Sequence, residues 1–78
     1  MQEFSLMLKD MDSIYRFVQG IYKIDADMDI VTTDHRYTVN AKSIMGILSL
    51  DTTKPMILRV YSDKGWVKEA AWNVLKEL

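Results

Sequence analysis

The chain contains no cysteine, one proline and three glycines among its 78 residues. Without cysteine it can form neither disulfide bonds nor a thiolate metal site, which fits a protein of the reducing cytoplasm. Its first residues lack the basic start and apolar core of a signal peptide. No apolar run reaches the length that spans a membrane. We therefore expect a cytoplasmic protein without a membrane segment.

The chain also lacks an excess of positive or negative charge. Ten basic and eleven acidic residues give a net charge of −1, and no basic stripe is visible. Direct binding to nucleic acid is therefore disfavoured, because such binding depends on clustered positive charge. A chain of this length forms one domain, residues 1–78, and buries only about 60% of the surface that its unfolded form exposes.

Alternation of apolar and polar residues predicts four strands. The apolar faces of the strands, in chain order, consist of Phe4, Leu6 and Leu8; Met28 and Ile30; Tyr37, Val39 and Ala41; and Met56, Leu58 and Val60. Residues 32–35 form the expected turn between the second and third strands.

Helical spacing predicts two long helices. The first extends from about Ser13 to Ile24 with Asp12 or Ser13 as its cap, and the last begins after Ser62 or Asp63. Their apolar stripes consist of Ile14, Phe17, Val18 and Ile21 in the first helix, and of Val67, Ala71, Val74, Leu75 and Leu78 in the last. Together with the four strands, these helices predict an α+β fold in which a four-stranded antiparallel sheet carries helices on one face.

Trp66 and Trp72 fall on different sides of the last helix. An exposed tryptophan there would mark a self-association surface, so a homodimer is one expectation. The alternative is a tryptophan that covers the open end of the small core.

Residues 42–50 (Lys-Ser-Ile-Met-Gly-Ile-Leu-Ser-Leu) predict a short helix that begins at a serine. Ser43 follows a strand and precedes apolar residues, as an N-cap does. Its hydroxyl would then lie where backbone N–H groups lack partners, and a phosphoryl group placed there would be stabilised by them. The segment therefore predicts a modifiable serine beside a small apolar surface, which is a switch and not a catalytic site.

These nine residues resemble the regulatory-serine segment of HPr, the phosphocarrier of the bacterial sugar phosphotransferase system. Low-GC Gram-positive HPr proteins carry Lys-Ser-Ile-Met-Gly followed by apolar residues and Ser-Leu. Further landmarks match in order and spacing: Val18-Gln19, Lys23, Asp25-Ala26-Asp27 and Thr38-Val39-Asn40. The resemblance implies the HPr architecture, an open-faced β-sandwich with the order β-α-β-β-α-β-α.

The segment that carries the phosphoryl-accepting histidine in HPr has no counterpart here. HPr has Gly-Ile-His-Ala-Arg-Pro-Ala before its first helix, whereas residues 8–14 of this chain contain no histidine, arginine or proline. Asp10 or Asp12 could form an acyl phosphate in principle, but no arginine screens the incoming charge, and a helix-entry loop is the simpler interpretation. The closest functional model is the Crh type, a regulator without the carrier histidine.

The resemblance also implies partners. The serine of the family is the substrate of HPr kinase/phosphorylase, and the serine-phosphorylated form binds a catabolite-control transcription factor in carbon catabolite regulation. We accordingly expect phosphorylation at Ser43 and a partner-binding surface formed by Ile44, Met45 and Leu48, with Phe17 at its border. The alternatives are a phosphocarrier and an unmodified interaction domain.

The other residues that we considered as functional sites do not indicate an enzyme, a metal site or a cofactor. No arrangement of nucleophile, base and oxyanion donors is present. His35, the only histidine, falls in a predicted turn without an acid–base partner. Asp25, Asp27 and Asp29 lack the glycine and closing glutamate of a calcium loop, so a solvated acidic edge is the expected interpretation. Lys42 and Lys54 flank the serine helix and would attract an acidic partner.

Overall fold

The protein, described here by a computed structural model that covers residues 1–78, has seven elements. In chain order they are β1 (Gln2–Leu6), α1 (Met11–Tyr22), β2 (Asp27–Thr32), β3 (Thr38–Asn40), α2 (Ile44–Leu48), β4 (Met56–Tyr61) and α3 (Gly65–Lys76). The predicted order of strands and helices is confirmed.

The four strands form one antiparallel sheet in the order β1-β4-β2-β3. In the register, Leu58 of β4 lies between Phe4 of β1 and Ile30 of β2, and Ile30 also pairs with Val39 of β3. These side chains therefore point to the same face of the sheet. Strands β1 and β3 are its two edges.

The hydrophobic core lies between this face and the helices. Its sixteen buried residues come from β1, β2 and β4, from all three helices and from the adjoining loops: Leu6, Leu8, Ile14, Phe17, Val18, Ile21, Ile24, Met28, Ile30, Ala41, Ile47, Met56, Leu58, Val60, Val67 and Ala71. The fold is therefore α+β, a four-stranded antiparallel sheet covered on one face by helices, as expected.

The starts of both long helices differ from the prediction. Asp10, not Asp12 or Ser13, is the N-cap of α1, and its carboxylate accepts a hydrogen bond from the Ser13 N–H at 2.8 Å. The Ser13 hydroxyl accepts one from the Asp10 N–H at 3.1 Å, which completes a capping box. Helix α3 begins at Gly65 without a side-chain cap, so Ser62 and Asp63 do not cap it.

The acidic row on β2 does not form an edge, because β2 lies between β4 and β3. Asp29 instead pairs with Arg59 of β4, on the face of the sheet that the helices leave uncovered. The interpretation of this row as a solvated acidic edge is therefore wrong for Asp29. None of the three helices has the length and hydropathy needed to cross a membrane.

Candidate functional site

Ser43 is the N-cap of α2, as predicted. Its backbone is extended (φ −110°, ψ 110°), its carbonyl accepts from the Ile47 N–H, and its hydroxyl oxygen accepts from the Gly46 N–H at 3.1 Å. The residue is half-buried. The hydroxyl therefore lies at the start of the helix beside a backbone donor, with part of the residue open to solvent.

Gly46 allows α2 to lie close to β3. A Cβ at this position would stand 3.1 Å from the Cβ of Val39 and 3.3 Å from the Ser43 hydroxyl oxygen. Both distances are tighter than ordinary carbon contacts. The glycine therefore keeps the space beside the serine hydroxyl open.

The remaining residues of α2 divide between core and solvent. Ile47 is fully buried and anchors the helix, while Ile44 is half-buried against the core. Met45 is 83% exposed and Leu48 is 49% exposed. We call Ser43, Ile44, Met45 and Leu48 together the serine patch. It is a small apolar surface with a hydroxyl at one end.

Phe17 does not belong to this surface. Its side chain is 0% exposed and lies in the core, so the prediction that it borders the docking surface is wrong. Helix α1 contacts both α2 and α3, and the face that carries Phe17 is therefore covered from both sides.

The two lysines that flank α2 have partners within the chain. The Lys42 ammonium donates to the carbonyl oxygen of Ile24, beyond the end of α1, at 2.6 Å, and the Lys42 N–H donates to the Asn40 side chain. Lys54 lies 3.8 Å from Asp51 in an exposed pair. Lys42 therefore ties the segment before Ser43 to the loop after α1, a contact that the sequence pattern does not indicate.

The segment between β1 and α1, where the resemblance leads us to expect the carrier-histidine loop, has a structural role. Asp10 caps α1, and the hydrogen bond from the Ser13 N–H holds the pKa of the Asp10 carboxyl below its ordinary value. Asp12 forms an exposed ion pair with Arg16 at 2.9 Å. An arginine therefore lies beside this segment, so the expectation that no arginine screens charge there is wrong. Each candidate carboxylate already has a hydrogen-bond donor or a cation beside it.

His35 lies in the turn between β2 and β3, where it adopts a positive φ of 60°. It is exposed. Its position places it on a different element from both α1 and α2.

A polar network on the uncovered face of the sheet was not predicted. Arg59 donates two hydrogen bonds to the Asp29 carboxylate (2.6 and 3.0 Å), and the Tyr61 hydroxyl donates a third at 2.7 Å. The only signal in the sequence is that each residue falls on the polar side of its own strand. Their meeting depends on the register between β2 and β4.

Comparison with known proteins places the chain among HPr proteins. The family model "PTS HPr component phosphorylation site" matches residues 13–78. The crystal structure of HPr-C-His from Thermoanaerobacter tengcongensis superposes with a TM-score of 0.76 at 25% identity, over 99% of this chain and 93% of that chain. The histidine-containing phosphocarrier protein of Mycoplasma gives a TM-score of 0.71 at 15% identity, over 97% and 93%. No curated protein sequence matches the chain.

Proposed function

The chain belongs to the PTS HPr family, and we propose that within this family it is a regulatory binding protein phosphorylated at Ser43 and not a histidine phosphocarrier. The observation that carries the proposal is the capping geometry of Ser43 beside the exposed side chains of Met45 and Leu48.

The reaction would be phosphoryl transfer from ATP to the Ser43 hydroxyl. A bond forms between the serine oxygen and the γ-phosphorus, the bond from that phosphorus to the β-bridging oxygen breaks, ADP leaves, and the hydroxyl proton is released. The Gly46 N–H already donates to the serine oxygen, so it lies within reach of the new phosphate oxygens. Negative charge at the start of a helix is favourable.

Phosphorylation would turn the serine patch into a two-part docking surface. The phosphate adds about −1.5 to −2 units of charge and three acceptor oxygens at one end. Met45 and Leu48 supply apolar contact beside it, and a flexible methionine adapts to different partners. A partner with a basic pocket next to an apolar groove would therefore bind the phosphorylated form and largely ignore the unmodified one.

Two partners follow from this proposal. HPr kinase/phosphorylase would modify Ser43, and a catabolite-control transcription factor would bind the product, both in the cytoplasm. The chain itself would have no enzymatic activity and would affect transcription only through that protein.

The proposal is tested by incubating the protein with ATP and an HPr kinase/phosphorylase and measuring its intact mass. We expect the wild type to gain one phosphoryl group and the Ser43→Ala variant to gain none. Ser49→Ala is the matched control, because Ser49 ends the same helix and is exposed, and it should be modified like the wild type. If an ordinary HPr is phosphorylated under the same conditions and this protein is not, the proposal that Ser43 is phosphorylated is wrong.

The docking surface is tested with the phosphorylated protein and a purified catabolite-control transcription factor. Met45→Ala should weaken binding by about tenfold, as loss of an apolar contact at the centre of an interface does. Trp66→Ala is the control, because Trp66 is an exposed apolar side chain on α3, a different helix from the one that carries Met45. If Met45→Ala binds as tightly as the wild type, the docking belongs to another surface.

Membership of a phosphocarrier family favours one alternative, in which Asp10 or Asp12 accepts a phosphoryl group. Incubation with phosphoenolpyruvate and enzyme I distinguishes the two functions, because an aspartate carrier would gain an acyl phosphate without ATP, and hydroxylamine cleaves an acyl phosphate but not phosphoserine. We expect no labelling, since the Asp10 carboxylate is engaged by Ser13 and Asp12 by Arg16. If neither enzyme modifies the chain, an unmodified interaction domain is the remaining alternative.

A further inference from the structure

A cavity lies at the end of the sheet where β2 ends and β4 begins. It separates the β2–β3 turn from residues 49–55, which connect α2 to β4. Its volume is about 350 Å³, at the small end of the range of about 300–1,000 Å³ that is typical of small-molecule sites. The inner part of its lining is apolar, because Met56 is buried and Leu50 packs against the core. No residue of the serine patch lines this cavity.

The β2–β3 turn supplies a carboxylate that is held in one position. The Asp34 side chain lines the cavity, and it accepts hydrogen bonds from the Thr32 hydroxyl at 2.7 Å and from the Arg36 N–H at 3.0 Å. These two bonds hold the pKa of the Asp34 carboxyl below its ordinary value. Both donors bond to Oδ1, so the second carboxylate oxygen, Oδ2, remains available to accept a hydrogen bond from a ligand.

The opposite wall supplies a second carboxylate and a cation. Asp51 lines the cavity, and its Oδ1 accepts hydrogen bonds from the Thr53 hydroxyl and from the Thr53 N–H. The ammonium of Lys54, which also lines the cavity, lies 3.8 Å from Oδ2 of Asp51. This wall therefore presents an acceptor and a hydrogen-bond donor side by side.

An exposed aromatic ring completes the lining. Tyr37 lines the cavity with a side chain that is 62% exposed. Its backbone is fixed, because its N–H donates to the Thr32 hydroxyl at 3.2 Å and its carbonyl accepts from the Thr32 N–H at 3.0 Å. The cavity thus combines a flat apolar surface with polar groups whose positions are set by hydrogen bonds within the two segments.

We propose that this cavity, which we call the turn cavity, binds a neutral polyhydroxyl molecule the size of a monosaccharide. A sugar hydroxyl both donates and accepts hydrogen bonds, and the cavity offers both kinds of partner, since Asp34 and Asp51 accept and Lys54 donates. A sugar ring also has a face of C–H groups, which packs against an aromatic ring such as that of Tyr37. The lining therefore matches both the polar and the apolar surface of such a ring.

The charges of the lining favour a neutral ligand over a charged one. Asp34 and Asp51 would repel a phosphate or a carboxylate, because like charges at short range oppose each other. Lys54, close to Asp51, would repel a cation in the same way. The chain has no group of three or more histidine, aspartate or glutamate side chains that could hold a metal ion.

The turn cavity begins where the serine patch ends, but the two are separate sites. Ser49 lines the cavity and directly follows Leu48 of the serine patch. The Ser49 hydroxyl donates to the Gly46 carbonyl at 2.6 Å, so its proton is already used within the chain. The inference does not rest on the proposed phosphorylation. Ser43→Ala, which removes the phosphorylation site, should bind the sugar as the wild type does.

Titration of the nitrogen-15-labelled protein with D-glucose, D-mannose and D-galactose tests the inference through the backbone amide spectrum. We expect at least one of the three sugars to give saturable shifts in the two segments that line the cavity, with a dissociation constant of about 1–10 mM. D-glucosamine and glucose 6-phosphate are the matched charged analogues, and at the same amides each should bind at least about tenfold more weakly than the neutral sugar.

Tyrosine variants test the aromatic wall. Tyr37→Ala should raise the dissociation constant at least about fivefold, because the sugar ring loses its apolar partner, whereas Tyr37→Phe should leave it nearly unchanged. Tyr22→Ala is the matched control, since Tyr22 is also exposed (70%) but lies on α1, outside the cavity. The amide spectrum of each variant also shows whether it is folded.

Three results would each overturn the proposal. The first is the absence of saturable shifts with all three sugars, including shifts that only grow linearly and spread over the whole surface. The second is a charged analogue that binds to these amides as tightly as the neutral sugar. The third is a folded Tyr37→Ala variant that binds like the wild type or like Tyr22→Ala.

Discussion

At the scale of single residues, Ser43 uses one oxygen atom for two purposes. The oxygen accepts the Gly46 N–H and so stabilises the start of α2. The same atom is the proposed phosphoryl acceptor, and the esterified oxygen would keep its place at the helix start while the phosphate oxygens take over as acceptors. Modification therefore need not disrupt the helix that presents it.

The capping role predicts a measurable loss of stability. Ser43→Ala should lower the free energy of unfolding by about 1 kcal/mol, because the Gly46 N–H loses its acceptor. Ser43→Asp should retain most of the stability, since aspartate is an equally good N-cap. Urea denaturation measures both. Ser5→Ala is the control, because Ser5 is exposed on β1 and should change the value by less than about 0.5 kcal/mol. A Ser43→Ala variant as stable as this control would contradict the role of the cap.

The sequence correctly located the N-cap at Ser43 but wrongly placed Phe17 at the surface, and the reason is physical. An N-cap is a local feature, since its hydrogen bond closes within three residues of the serine. The exposure of Phe17 depends on how much of α1 the other elements cover. Helical periodicity gives the direction of a side chain but not the width of the buried face. Because α2 and α3 both contact α1, Phe17 is fully buried.

At the scale of elements, the packing of α1 against α3 depends on a glycine. A Cβ on Gly20 would stand 2.8 and 2.9 Å from the two methyl carbons of Val74. Real carbon contacts are longer than this, and a β-branched side chain has little freedom to move aside. Gly20 therefore gives up about 1 kcal/mol of helix propensity in exchange for close contact between the helices.

Two glycine substitutions with opposite surroundings test this contact. Gly20→Ala should be less stable than Gly65→Ala by about 1–3 kcal/mol, because overpacking outweighs the gain in propensity. A Cβ on Gly65 meets no atom within 4 Å. Adding Val74→Ala to Gly20→Ala should recover much of the loss, with a coupling energy of about 1 kcal/mol or more in a double-mutant cycle. Additive effects would show that the two residues do not determine the helix separation.

Element order was predictable because each strand and helix has its own apolar period. The first residue of each helix was harder to predict. At the start of α1, for example, Asp10, Asp12 and Ser13 are all residue types that cap helices well. The capping box between Asp10 and Ser13 decides among them. The start of α3 has no side-chain cap at all, so residue preference could not have located it.

At the scale of the whole molecule, one network connects the sheet across positions far apart in sequence. Asp29 of β2 bonds to Arg59 and Tyr61 of β4, thirty and thirty-two residues away. The side chains of Asp29 and Arg59 are only 19% and 24% exposed. Composition and periodicity cannot predict this contact, because a shift of one residue in the register would place Arg59 on the other face.

The network predicts how stability changes with pH. Burial alone would raise the pKa of Asp29, but the hydrogen bonds from Arg59 and Tyr61 outweigh it and hold that pKa below its ordinary value. The hydrogen bond to the Asp29 carboxylate raises the pKa of Tyr61 above its ordinary value. The lowered pKa of Asp29 stabilises the fold above about pH 3.9, which is the pKa of this carboxyl in the unfolded chain. This stabilisation is lost as the pH falls through the lower pKa of the folded state. The raised pKa of Tyr61 stabilises the fold below about pH 10, which is the pKa of this hydroxyl in the unfolded chain. This stabilisation is lost as the pH rises through the higher pKa of the folded state.

Asp29→Asn should therefore flatten both ends of the profile of unfolding free energy against pH. Around pH 7 it should cost about 1–3 kcal/mol, because Arg59 loses a charged partner. The unfolding free energy of Asp29→Asn should still fall to some extent at low pH, since hydrogen bonds also lower the pKa values of Asp10, Asp34 and Asp51. Asp27→Asn is the control: Asp27 lies on the same strand, is exposed and forms no ion pair. Urea denaturation at a series of pH values gives each profile. An Asp29→Asn profile that runs parallel to the wild type at both ends would mean that the pH dependence arises elsewhere in the molecule.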